Sequence, residues 1–169
     1  MGDESPPGQK ALRRGRFSQE NARYFVTICT HQRTPVLCEE KIPNILFETL
    51  NTHQSSFDLI ASVVMPDHIH FVLLLNHSKL GQAIKIFKGK SGIEINRILS
   101  RSGQIWQKGY FDHKFRSDDD LEPILNYMWN NPETPGRNFR CNQDDWIWFK
   151  RMVAKKFEYP EWLKAHPLG

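Results

Sequence analysis

Two apolar runs, Leu59-Ile60-Ala61-Ser62-Val63-Val64-Met65 and His68-Ile69-His70-Phe71-Val72-Leu73-Leu74-Leu75, are separated only by Pro66-Asp67. Such runs, joined by a tight Pro-Asp turn, form an antiparallel hairpin. The remaining elements are placed around it. Tyr24 to Cys29 is rich in β-branched and aromatic residues and reads as a preceding strand. After Pro35, Ile42, Leu46, Leu50 and Phe57 recur at helical spacing. Leu80, Ile84, Phe87, Ile95 and Ile98 mark a second helical region, with an expected interruption at Gly89-Lys90-Ser91-Gly92. Ile105 to Phe115, carrying Trp106, Tyr110, Phe111 and Phe115, reads as a fourth strand with Gly109 at a bulge or bend.

The order is β-α-β-β-α-β, the split arrangement of an α+β, ferredoxin-like antiparallel sheet. A third helix is expected at about residues 120–131. Asp119 with Glu122 forms a capping-box-like start, the acidic run Asp118-Asp119-Asp120 suits the positive helix end, and Pro132 stops it. These elements make one domain over residues 16–136, preceded by a loose polar leader at 1–15. An irregular aromatic and basic tail at 137–169 packs on the same domain.

With 39% hydrophobic and 25% charged residues in 169, the chain has the composition of an ordinary soluble globular protein. No apolar run approaches the ~20 residues of a membrane helix, and no charged-then-apolar leader opens the chain. Cys29, Cys38 and Cys141 are widely spaced and form no CxxC pair. Neither a zinc knuckle nor a disulfide framework is suggested, and a reducing cytoplasm is the expected location. The net charge of +4 favours a polyanionic partner without naming one. Arg13 and Arg14 at the front, and Lys85, Lys88, Lys90 and Arg97 in the middle, are candidates for DNA contact; solvated faces have the same composition.

His68 and His70 project to one face of their strand while Ile69 points to the other, so both imidazoles can converge on one divalent ion. Taken alone, such a pair also arises as ordinary core or surface histidines. Tyr127 and Asn131, four residues apart, share one face of the third helix. Beside a metal-polarised phosphate the phenol can attack, and Asn131 offers an amide oxygen as a third ligand. On the residues alone, Tyr127 packing with Ile124, Leu125 and Met128, and Asn131 capping the helix, is the simpler account.

Met65-Pro66-Asp67-His68-Ile69-His70-Phe71, followed much later by Tyr127-Met128-Trp129-Asn130-Asn131-Pro132, resembles the tyrosine His-hydrophobe-His transposases. The branch associated with repetitive extragenic palindromes is the nearer likeness. Tyr24-Phe25-Val26-Thr27, Phe87-Lys88 with Asn96, and Trp106-Gln107 leading to Tyr110-Phe111-Asp112-His113 follow the family order across about residues 16–136. The resemblance implies a nuclease that nicks and rejoins single-stranded DNA near hairpins and needs Mg²⁺ or Mn²⁺. It also implies His68, His70 and Asn131 as metal ligands, Tyr127 as nucleophile and a single-chain, monomeric site. Asn131 stands where related insertion-sequence enzymes carry Gln. Glu133-Thr134-Pro135-Gly136 departs from the family's basic-small-Gly sequence.

Other features fit less well. Gly89-Lys90-Ser91 lacks the earlier glycine of a phosphate-binding loop, since position 84 is Ile. Zinc deaminase chemistry needs HxE and Pro-Cys-x-x-Cys, and neither is present. Asp112-His113 offers either a base pair for catalysis or a structural hydrogen bond. The tail aromatics Trp146, Trp148, Phe149, Phe157, Tyr159 and Trp162 suit a core or lid, or base stacking. The competing function is a noncatalytic ferredoxin-like module binding nucleic acid on Phe71, Tyr110 or Phe111.

Overall fold

A computed structural model describes residues 18–52, 55–117, 121–130 and 148–151. The strands are β1 (Arg23–Cys29), β2 (Phe57–Met65), β3 (His68–Leu75), β4 (Phe111–Lys114) and β5 (Trp148–Arg151), and the helices are α1 (Lys41–Asn51), α2 (Leu80–Ile98) and α3 (Leu121–Asn130). They form one antiparallel sheet in the order β4-β1-β3-β2-β5. Its first four strands have the ferredoxin-like order. β5, which pairs Trp148 with Val64 and Arg151 with Ala61, extends the sheet where an irregular tail was expected. The leader, 118–120 with its expected cap, Asn131 and the rest of the tail lie outside the described residues.

β3 lies between β1 and β2 and is buried along nearly its whole length. Ile69, Phe71, Leu73 and Leu75 face a core completed by Ile42, Leu46 and Leu50 of α1 and Ile84, Phe87 and Ile95 of α2. Val72 faces the other way, into a smaller core where Phe25, Val63 and Met65 meet Leu125 and Met128 of α3. The sheet is therefore sandwiched, with α1 and α2 on one side and α3 on the other. A bulge between Leu59 and Ala61 resets the alternation of β2. Leu59 joins the larger core before it, and Val64 rejoins that core after it.

Several expectations are corrected. Phe57 opens β2 rather than ending the first helix. α2 runs unbroken through Gly89–Gly92. Here the indole of Trp106 lies on the helix: its Nε1 donates to Ser91 Oγ at 3.0 Å, and a Cβ on Gly92 would stand 3.8 Å from Trp106 Cδ1. Ser91 and Gly92 lie against the indole, and the roughly 1 kcal/mol helical cost of a glycine is small beside what the burial of a large aromatic returns. The fourth strand is limited to Phe111–Lys114, with Trp106 making only an isolated bridge to Thr30. Lys88 Nζ takes the carbonyls of Gln107 and Gly109, so this stretch gives those acceptors to an ammonium group rather than to a strand. Cys38 is disulfide-bonded, where no disulfide framework was expected, while Cys29 is a free thiol.

No helix among the described residues is long and apolar enough to cross a membrane.

Candidate active site

His68 and His70 open β3 and project to the α3 side of the sheet, as alternation along a strand requires. Both are deeply buried, 2% and 4% exposed. A buried imidazole must have its nitrogens engaged, and each ring is held from outside through Nδ1. His68 Nδ1 lies 2.6 Å from Asp67 Oδ1, and His70 Nδ1 lies 2.8 Å from the hydroxyl of Thr27, its register partner on β1. The two Nε2 atoms then face each other at 3.1 Å.

That separation fits a shared cation. Two donors each about 2.1 Å from an ion, at right angles, sit about 3.0 Å apart. Nδ1 bonds to a carboxylate and a hydroxyl are the outer contacts that orient metal-binding imidazoles. Among the described residues no cluster of three or more His, Cys, Asp or Glu is arranged to hold a metal. Any remaining ligands must be neutral oxygens, residues outside the described set, or substrate.

Asp67 is itself buried and anchored. Burial would raise its carboxyl pKa, but the hydrogen bond and charge of His68, with the charge of Arg33, outweigh burial and hold it below the ordinary 3.8. As a carboxylate it only accepts, so His68 carries a proton on Nδ1, and the neutral ring presents its lone pair at Nε2. Arg33 Nε reaches Asp67 Oδ2 at 2.8 Å, and its NH1 reaches Cys29 Sγ at 2.8 Å. The turn that aims Arg33 is left-handed at two successive non-glycine residues, Gln32 at φ 53° and Arg33 at φ 56°. Each such residue costs about 1 kcal/mol or more unless its surroundings enforce it. Buried Thr30 supplies that enforcement: its N–H donates to the Asp67 carbonyl at 2.9 Å and its hydroxyl to the Thr34 carbonyl at 2.7 Å.

α3 brings the tyrosine. Leu125 and Met128 are fully buried against β1, β2 and β3, and their burial is worth about 1.5–3 kcal/mol each. Tyr127 is on a different face of the helix and is 48% exposed, so it is not a core residue like those two. Its ring meets His70 edge-on, with centroids 5.6 Å apart, and Phe25 at 6.2 Å. Phe25 in turn stacks on His70 at 5.2 Å. A phenol thus stands beside the histidine pair with part of its surface open to solvent.

The other candidate residues are dispersed. Asn131, Arg13 and Arg14 lie outside the described residues. Lys85, Lys90 and Arg97 are exposed on α2, across the sheet from the histidines, and Arg97 pairs with Glu94 at 2.7 Å. Lys88 serves the loop carbonyls described above. Asp112 and His113, as neighbours on β4, project to opposite faces. Thr27, Arg33 and Asp67 were missed as site residues. Asp67, next to His68 at a turn, was the detectable signal, whereas Thr27 becomes visible only with the β1–β3 register.

A family model described as "Transposase IS200 like" matches residues 18–131, most of the chain. The chain belongs to this family. Its members are transposases, enzymes that cleave and rejoin DNA, and this transposase is one of them. A Haemophilus influenzae protein named as a REP-associated tyrosine transposase is 29% identical over 125 residues, spanning 67% of this chain and 71% of the relative. The fold matches a solved REP-associated tyrosine transposase bound to a REP hairpin, at TM-score 0.58 and 19% identity, covering 72% of each chain. A solved Deinococcus radiodurans chain described as a transposase is 24% identical at TM-score 0.49, covering 70% of this chain and 96% of that one.

Proposed function

We propose that this transposase nicks and rejoins single-stranded DNA beside hairpins through a phosphotyrosine link on Tyr127, working in the cytoplasm as a monomer. The observation that carries the reading is the juxtaposition of the two facing Nε2 atoms, 3.1 Å apart, with the Tyr127 ring 5.6 Å from His70. His68, His70 and Asn131 would hold the divalent ion. Bound Mg²⁺ or Mn²⁺ supplies positive charge that polarises a DNA phosphate.

The chain's own residues do the rest. Asp67 and Thr27 keep both imidazoles in the ligand orientation. The Tyr127 oxygen forms a bond to phosphorus as one bridging P–O bond of the strand breaks. The phenol gives up its proton, and the departing strand end takes one up as a hydroxyl. The new phosphotyrosine ester conserves the broken bond, so reversal onto another strand end rejoins DNA. A half-exposed phenol suits this role because strand and solvent must both reach it. α3 packs Leu125 and Met128 on its own sheet, which favours a site within one chain.

The hairpin-bound structural relative makes hairpin DNA the natural probe. Wild-type protein with Mn²⁺ and a labelled hairpin carrying single-stranded flanks is expected to give a covalent adduct. Tyr127→Phe is expected to bind the same DNA and give none. Adduct from the Phe protein would mean that another nucleophile acts; binding without adduct by wild type would leave a noncatalytic module.

A further inference from the structure

Among the described residues, four large hydrophobic side chains are exposed: Ile86, Ile93, Phe111 and Tyr127. Ile86 and Ile93 belong to α2, and isolated apolar residues on a solvated helix are normal. Phe111 differs because the sheet fixes where it points. Thr27 is the register partner of Phe111 across β1–β4 and of His70 across β1–β3. Directly opposed residues of an antiparallel pair project to the same side. The 2.8 Å bond between the Thr27 hydroxyl and His70 Nδ1 identifies that side as the face of the histidine pair. Phe111, Thr27 and His70 are therefore one row across the sheet.

Two pair spacings place the Phe111 backbone about 10 Å from that of His70. β4 is an outer strand, and the ring is 53% exposed. His113, also exposed, stands on the same face in the next row, opposite Phe25. The two large hydrophobic rings exposed among the described residues, Tyr127 and Phe111, thus share the histidine face, and both exposed isoleucines are on the other side of the sheet.

We infer that Phe111 is a stacking platform for an unpaired nucleobase of the DNA strand whose phosphate is held at His68 and His70. The inference rests on the reading in the previous section and adds a base-binding subsite to it. A strand fixed by one phosphate must place the adjoining bases somewhere on this face. An exposed phenyl ring within that reach offers a π-surface of the kind on which bases stack. Phe111 has no hydrogen-bonding group, so it reads no base edge. It sets the register of the strand at the cleavage site and tolerates any base.

The test uses the full chain and a labelled hairpin with single-stranded flanks, with an abasic nucleotide moved through the flank one position at a time. Phe111→Ala is expected to weaken binding of the intact flanked hairpin roughly 10-fold, within the range for loss of one base–aromatic stack, and Phe111→Trp to retain it. Binding of a flankless hairpin and the melting temperature are expected to stay unchanged, because the ring is half in solvent. At one flank position the abasic nucleotide is expected to cost wild type about as much as the Ala substitution does, and to cost the Ala protein nothing more. Equal affinity of wild type and Phe111→Ala for the flanked hairpin, or additive losses at every abasic position, would overturn the platform. If wild type forms no tyrosine adduct yet shows the Phe111–abasic coupling, the catalytic reading fails and the platform stands. Adduct formation without the coupling has the opposite meaning.

Discussion

Replacing Asp67 with Asn separates the chemistry of the histidine pair from its shape. Asp67 accepts on both oxygens, from His68 Nδ1–H at 2.6 Å and from Arg33 Nε–H at 2.8 Å. An amide has one accepting oxygen, so only one partner can be satisfied while the other meets an NH₂ group. His68, 2% exposed, has nowhere to go, whereas Arg33, 49% exposed, can turn to water. The oxygen is therefore expected to stay on His68, with Arg33 released and the carboxylate charge removed. Metal affinity is expected to fall about 10- to 100-fold, equivalent to about 1.4–2.7 kcal/mol, as for other outer contacts of ligating histidines. Stability at neutral pH should drop by about 1–3 kcal/mol, the cost of disturbing a buried charged hydrogen bond. The folded-state carboxyl lies below 3.8, so its contribution is complete above that value and is lost as pH falls through the folded pKa. The stability deficit of Asp67→Asn should accordingly close in acid. Calorimetric titration of Mn²⁺ into metal-free protein, with thermal melts from neutral to acidic pH, measures both quantities. An Asn protein that binds Mn²⁺ as tightly as wild type would refute the claim that the Asp67 carboxylate strengthens His68 as a ligand.

Binding of flanked hairpin DNA should weaken steeply with salt, and Lys85→Gln with Lys90→Gln should flatten the log–log slope by roughly 0.7 for each single-strand phosphate that the pair no longer neutralises. An unchanged slope in the double variant would return these lysines to a solvated face. Mixing His68→Ala with Tyr127→Phe should leave cleavage absent, because neither chain carries a whole site; restored adduct formation would show that Tyr127 acts across subunits.

The hairpin at the centre of the sheet was legible because it depends on local facts, two apolar runs and a turn too short for any alternative. α2 was misread for the converse reason. Gly89 and Gly92 suggested a break, yet Ser91 and Gly92 answer to Trp106, a residue beyond the end of the helix that only tertiary packing brings back. Lys88 shows the same limit. Its charge suggested an external phosphate, and its partners are two carbonyls of the chain itself. β5 was not foreseen because an edge strand of four residues carries little periodicity, and its pairing with β2 is set by register.

At the site, the division falls between alternation and register. Alternation is a property of one strand, so His68 and His70 could be put on one face before anything was known of their neighbours. Thr27 and Arg33 could not be found that way, because Thr27 depends on which β1 residue lies opposite His70, and Arg33 on a turn with two left-handed residues. The two kinds of residue also divide the work. The histidine pair sets which atoms face each other; Asp67 puts a proton on His68 Nδ1, whereas the Thr27 hydroxyl holds the His70 ring in place and can donate or accept at its Nδ1. Without a carboxylate beside its Nδ1, His68 would have both tautomers open, and the 3.1 Å approach of the Nε2 atoms would bring together atoms that need not carry lone pairs. On the proposed reading, the capacity of the pair to take a cation therefore depends on the Asp67–Arg33 pair, and on the placement of the His70 ring by Thr27, as much as on the histidines themselves.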